Sequence, residues 1–332
     1  MTPPSPEPGR VVAVDVMGAD RGPADIVEGA RRAAEELGVP VLLVGKPDAI
    51  GDAGDLEVLA ADDVIGMEED PAGALRRKKD ASVVRAAEAV KTGRAGAMVS
   101  AGNTGAAMAS ALLRMGRLSG VTRPAIATPI PVHGSTPTVL LDAGANSECQ
   151  PGWLVQFAQM GAVLARERFE IDHPRVGLLS IGEEASKGTA LVREAHGLLA
   201  AAADGFEFIG NVEGRDLLTD QVDVVVTDGF TGNVVLKTLE GAVAFVKGAI
   251  FSTMTSTDEA KQASQVIMPL LAPLASELDP DSYGGAILLG VDGVCVISHG
   301  SSSAKAVFNA VRVAEDMIQH DLVGRLRQAV AS

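Results

Sequence analysis

Aromatic residues are scarce: one Trp, one Tyr and eight Phe amount to 3% of 332 residues. A core without them must come mainly from Val, Leu, Ile and Ala, and a hydrophobic share of 47% supplies that material. Cysteine is nearly missing. Cys149 and Cys295 stand far apart with no CxxC neighbour, which excludes a disulfide framework or a cysteine zinc site and suits a reducing compartment. Basic residues are outnumbered, 28 Lys and Arg against 43 Asp and Glu, for a net charge of −15. Such a surface disfavours a phosphate backbone, so nucleic acid is not an expected partner. An acidic protein or an anionic lipid surface would need a local basic patch. No apolar run approaches the ~20 residues that span a bilayer. GxGxxG, P-loop and GxSxG patterns are all absent, which removes the ordinary sequence support for dinucleotide, nucleotide and serine-hydrolase chemistry.

What is present is alternation. Val11–Val16, Val41–Val44, Ala97–Val99, Val139–Leu141, Val176–Ile181 and Val222–Val226 are short, continuous apolar runs. Helix-length segments lie between many of them: Ala24–Leu37, Ala106–Met115, Gly152–Arg168, Thr189–Ala202 and Asn233–Ile250. Pro23 sits where the first helix would start and Gly38 where it would stop. Buried strands alternating with helices predict an α/β fold with a mainly parallel sheet covered on both faces, an α/β/α sandwich. The Pro-rich stretch over 1–9 lacks the regions of a signal peptide and is expected to be a disordered tail. Residues 10–332 are expected to form one large α/β domain with a helical excursion at about 251–283. Within it Val266–Leu274, interrupted by Pro269 and Pro273, is expected to form a hydrophobic tip.

Ligands of open parallel sheets bind beyond the carboxyl ends of the strands, so the loops there carry the candidate chemistry. Asp15 and Asp20 flank the first loop. Ser100-Ala101-Gly102-Asn103-Thr104-Gly105 offers backbone N–H groups, Asn103 and Thr104 at a helix start, a cradle for an oxyanion or an ordinary capped turn. Asp142-Ala143-Gly144-Ala145-Asn146 places Asn146 where Asp142 can orient it. Lys187 closes a loop rich in Gly and Glu. Asn211 and Arg215 follow, Arg215 with the forked donor that suits phosphate. Asp228, Gly229, Thr231 and Asn233 form a polar loop before a long helix, with Lys237 one turn inside it. His299 is the titratable group of a His-Gly-Ser-Ser turn. Arg76-Arg77-Lys78-Lys79 is the densest basic run and the candidate patch for an acidic partner.

In this order the loops resemble the PlsX family of phosphate acyltransferases. The resemblance runs from about Val11 to Val313 and rests on Asp15-Val-Met-Gly, Arg76-Arg-Lys-Lys-Asp, Ser100-Ala-Gly-Asn-Thr-Gly, Asp142-Ala-Gly-Ala-Asn, Gly210-Asn-Val-Glu-Gly-Arg-Asp, Tyr283-Gly-Gly-Ala and His299-Gly-Ser-Ser. The long Val224–Thr238 segment is its most specific part. Arg21 stands where the family usually has His, which puts an acid/base role for that position in doubt. The resemblance implies a fold like the isocitrate dehydrogenase and phosphotransacetylase group. It implies fatty acyl transfer from acyl carrier protein to inorganic phosphate, yielding acyl phosphate for phospholipid synthesis. A homodimer in the cytoplasm, associated peripherally with the inner face of the cell membrane, is implied with it.

No cofactor or metal is expected. The polar loops hold anion donors without an evident Ser–His or Cys–His pair, so direct attack of bound phosphate on the thioester is the expected chemistry. Asp228, Asn233, Lys237 and His299 are the expected catalytic residues. Asp15, Asn103, Thr104, Asn146, Lys187, Asn211, Arg215, Gly229 and Thr231 are the expected substrate contacts, with phosphate among Asn103, Thr104, Lys187 and Arg215. A coenzyme A-dependent phosphotransacylase, an NAD-dependent dehydrogenase and a non-catalytic membrane scaffold for lipid enzymes remain open alternatives.

Overall fold

The computed structural model describes residues 9–202 and 205–331. The expected tail over 1–9 therefore lies outside the described residues but for Gly9. The chain opens with β1 (Val12–Asp15), α1 (Pro23–Leu37), β2 (Val41–Gly45), α2 (Pro47–Ile50) and β3 (Glu57–Ala60). It continues with α3 (Pro71–Arg77), α4 (Ser82–Lys91), β4 (Ala97–Ser100) and α5 (Thr104–Arg114). An antiparallel pair, β5 (Ala125–Ile130) and β6 (Thr138–Leu141), leads to α6 (Pro151–Phe169), β7 (Arg175–Leu179), α7 (Ala190–Ala201) and β8 (Glu207–Val212). After a 3-10 turn at Gly214–Leu218 come β9 (Val224–Val226), α8 (Gly229–Met254) and α9 (Asp258–Glu277). β10 (Ala286–Leu289), β11 (Val294–Ile297), α10 (Ala304–Gln319) and α11 (Leu322–Ala331) complete the order.

The strands form one sheet in the order β3-β2-β1-β4-β11-β10-β5-β6-β9-β7-β8. From β3 to β11 neighbours are parallel, and β6, β9, β7 and β8 form a second parallel block. Between the blocks, the junctions β11/β10, β10/β5 and β5/β6 are antiparallel. Three reversals leave the two blocks running in opposite directions. Twist of roughly 20–25° per junction accumulates to roughly 100° or more over the five junctions from β4 to β9. Ala143, just after β6, lies in the same buried cluster as Ala106, Ala107 and Ala111 of α5.

Both faces of the central strands are covered. β1, β2, β4, β6, β9 and β11 are buried at every position, as continuous apolar runs require. α1 starts with Pro23 and ends at Gly38, whose φ of 71° lets its N–H reach the Ala34 carbonyl. Its Ile26, Val27, Ala30 and Ala33 pack into the core with Val307, Ala310 and Ala314 of α10.

Several expectations need correction. β7 ends at Leu179, and Ile181 is 82% exposed in the following loop. Asn211 belongs to β8, not to a loop. α8 starts at Gly229, four residues earlier than its apolar pattern suggests, because Asp228 caps it. The excursion expected from residue 251 begins inside α8 and consists of its distal half and α9, which buries no residue in the chain. Pro269 and Pro273 lie within α9. Val266–Leu274 is therefore the flank of a helix, and the turn between α8 and α9 falls at residues 255–257.

Candidate active site at the strand ends

The first block gathers Asp15, Asn103, Thr104 and His299. Asp15 is 2% exposed at the end of β1. Its Oδ2 accepts the Ser100 hydroxyl at 2.7 Å and its Oδ1 the Met17 N–H at 3.1 Å. Burial pushes its pKa from 3.8 up to about 6 against the opposing hydrogen bonds of Ser82, Ser100 and Met17. Ser100 Oγ in turn accepts the Gly102 N–H at 3.3 Å, so one carboxylate ties the β1 and β4 loops together. Asn103 is already occupied. Its Oδ1 caps α5 through the Ala106 N–H at 3.0 Å, and its Nδ2 donates to the carbonyls of Gly66, Met67 and Glu69. Thr104 is exposed in the first turn of α5. His299 is exposed after β11, and its Nδ1 accepts the Ser301 N–H and lies 2.7 Å from Ser301 Oγ. A Ser–His contact thus exists that the linear pattern did not suggest, and accepting that N–H places the neutral ring's proton on Nε2.

The second block gathers Asn146, Asp228, Gly229, Thr231 and Asn233. Asp228 accepts both the N–H and the hydroxyl of Thr231, at 2.9 and 2.7 Å, which fixes the first turn of α8. The Gly229 N–H donates to the Asn146 carbonyl at 2.8 Å. Asn146 Nδ2 donates to Pro124 O and to Asp142 Oδ2, and Asn233 lies against Gly144. The N–H of Phe230 has no acceptor among the described residues. It is an exposed donor at a helix start, where the dipole favours negative charge. Cys149 borders this turn. Burial above all, with the charges of Asp142 and Asp228, pushes its thiol up to about 11 against a hydrogen bond from Gly229. At neutral pH it is a protonated, weak nucleophile.

The loops after β7 and β8 extend this block. Lys187 is exposed, with no ion pair to a described residue. Asn211 is 5% exposed; its Nδ2 donates to Glu184 O at 2.9 Å, and its Oδ1 is buried without a partner. Arg215 pairs with Glu213 at 2.8 Å and remains 72% exposed. Lys237 is half-exposed and pairs with Glu240 at 2.8 Å. Six strand junctions, about 29 Å along the sheet, separate β4 from β7. The four residues expected around phosphate therefore come from both blocks, Asn103 and Thr104 from the first and Lys187 and Arg215 from the second. By contrast β7 adjoins β9, so the Lys187 loop neighbours the start of α8. No group of three or more His, Cys, Asp or Glu suited to a metal ion occurs among the described residues.

Sequence reasoning missed three of these features. Ser100 looked like part of a cradle rather than the partner of Asp15. Cys149 gave no signal of proximity to Asp228. A free backbone donor at Phe230 has no residue signature; only the Asp-Gly-Phe-Thr-Gly cap hints at it.

The fold is shared with solved structures of low sequence identity. A branched-chain phosphotransacylase from Enterococcus faecalis V583 superposes with a TM-score of 0.61 at 13% identity, over 93% of this chain and 99% of that one. A 4-hydroxythreonine-4-phosphate dehydrogenase from Klebsiella pneumoniae gives 0.54 at 13%, over 94% and 100%. These similarities establish the fold alone. Sequence goes further. The family model described as fatty acid synthesis protein matches residues 10–325. The phosphate acyltransferase of Heliobacterium modesticaldum is 49% identical over 329 residues, covering 96% of this chain and 97% of its own. That of Desulforudis audaxviator is 48% identical over 319 residues, covering 95% and 94%. The chain belongs to this fatty acid synthesis protein family of phosphate acyltransferases and is an enzyme of the transferase class.

Proposed function

We propose that the enzyme moves a fatty acyl group from acyl carrier protein to inorganic phosphate, releasing acyl phosphate for phospholipid synthesis. The observation that carries the reading is the start of α8, where the free Phe230 N–H and Asn233 stand beside a thiol held protonated. In this mechanism phosphate is the nucleophile. Its oxygen bonds to the thioester carbon, the C–S bond breaks, and the proton of hydrogen phosphate leaves with the carrier thiol. The Phe230 N–H and the Asn233 amide stabilise the developing oxyanion. Lys187, on the neighbouring loop, draws phosphate toward them, with Arg215 one strand further out. Thr104 and His299 contribute a hydroxyl and a titratable ring from the first block.

The proposal includes a homodimer in the cytoplasm with peripheral contact to the inner face of the cell membrane. Its support is the arm of α8 and α9, where Phe245, Phe251, Val266 and Leu270 are 76, 62, 73 and 76% exposed. No helix among the described residues is long and apolar enough to cross a membrane.

The test compares donors. Purified enzyme is given a long-chain acyl carrier protein or the same acyl chain on coenzyme A, with phosphate, and acyl phosphate is trapped by hydroxylamine. Higher kcat/KM with the carrier protein is expected. Preference for coenzyme A would replace this reading with the phosphotransacylase one, and no product from either donor would leave the scaffold.

A further inference from the structure

The carboxylate of Asp142 is fully buried at the end of β6. Oδ1 accepts the N–H groups of Ile126, Gly144 and Ala145 at 3.0, 3.0 and 2.9 Å. Oδ2 accepts the Asn146 N–H at 2.8 Å and its Nδ2 at 2.9 Å. Only donors face it, a pattern that a carboxylate completes and a neutral side chain of the same shape cannot. The turn it shapes is the surface on which α8 begins. Asn146 O accepts the Gly229 N–H at 2.8 Å, while the Asp142 N–H and the Thr227 N–H cross between β6 and β9 at 3.1 and 2.8 Å. No side chain separates the layers. A Cβ on Gly229 would lie 2.8 Å from Asp142 Oδ2, and one on Gly232 would collide with the Asp142 carbonyl.

We propose that Asp142 is a positioning residue for acyl transfer: it sets the first turn of α8, and with it the free Phe230 N–H, in register with the end of β6. The proposal rests on the reading of this turn as the oxyanion site. Asp142 touches no reacting atom; it acts through Asn146 and Gly229. An oxyanion donor displaced by a fraction of an ångström loses most of its worth, whereas substrate binding by other loops is unaffected.

The test is Asp142→Asn, which keeps volume and turns one acceptor into a donor facing other donors. Turnover is measured together with hydrogen exchange at the Gly229 amide, which is bonded to Asn146 O. The expected result is a kcat lower by about a hundredfold, KM for phosphate and donor within about twofold, and exchange at Gly229 faster by about tenfold. Unchanged kcat in a folded variant overturns the proposal, as does a raised KM with kcat intact. If Asp142→Asn does not fold, Gly232→Ala keeps the carboxylate while prising α8 off the turn, and the same kcat loss is required of it. Exchange reports the position of α8 without reference to chemistry. A wild-type enzyme with no phosphate-dependent turnover would therefore sink the functional reading, and exchange alone would decide whether Asp142 holds the helix. Free-peptide exchange at Gly229 in the wild type would overturn the proposal even if neither variant folds.

Discussion

Replacing Asp15 with asparagine isolates what it costs to hold a charge beneath the β1 and β4 loops. The folded carboxyl has its pKa raised from 3.8 to about 6, chiefly by burial. The folded state therefore binds a proton more tightly than the unfolded state between those values. Stability from this group is fully present below the unfolded value and is lost as pH rises through the folded one. The shift corresponds to about 3 kcal/mol between the two limits. The amide of the Asp15→Asn variant cannot titrate, so the variant lacks this dependence. Its lost or altered hydrogen bonds to Ser100 and Met17 add an offset that does not change with pH. Urea denaturation of both proteins from pH 4 to pH 7.5 yields the difference in unfolding free energy. The variant should gain on the wild type by about 2.5 kcal/mol over that range, most of it between pH 4 and the folded value. A flat difference would refute the burial argument and the description of Asp15 as a charged tie between the loops.

Other consequences follow from single contacts. Cys149→Ser should leave kcat within about threefold, because a thiol held up to about 11 is not the acyl acceptor; a loss of several orders of magnitude would point to a covalent route. Asp223 is nearly buried and accepts the N–H, Nε and Nη2 of Arg175 at 2.7, 3.0 and 2.8 Å. Arg175→Met should lower unfolding free energy by about 2 kcal/mol, read by denaturant titration, and an unchanged midpoint would contradict it. Phe245→Glu with Leu270→Glu should leave Tm within about 2 °C, since exposed substitutions are nearly neutral, yet abolish co-flotation with anionic vesicles. Undiminished flotation would remove the arm from the membrane proposal.

Local signals carried much of the fold. Pro23 and Gly38 bounded α1 because each acts through its own backbone, and the continuous apolar runs marked strands buried on both faces. β3 and β8 escaped notice because they are edge strands, with polar or exposed positions at Glu57 and Glu207. β5 escaped because Pro129 interrupts it. The reversed second block was not legible either, since the antiparallel β10 and β5 are paired across about half of the chain. The candidate site divides in the same way. Its loops were visible as polar, glycine-rich stretches after strands. Which of them meet was not, and residues such as Asn103 and Asp228 that look like ligands spend their polar atoms as helix caps.

The central claim is that bound phosphate attacks the thioester itself. Rapid quenching of enzyme mixed with excess acyl carrier protein tests it most directly, with free thiol and acyl phosphate measured in the first turnover. The account predicts no thiol release without phosphate, and with phosphate equal amounts of thiol and acyl phosphate. One equivalent of thiol per protomer released in the absence of phosphate would contradict it, because the acyl group would then be on the enzyme.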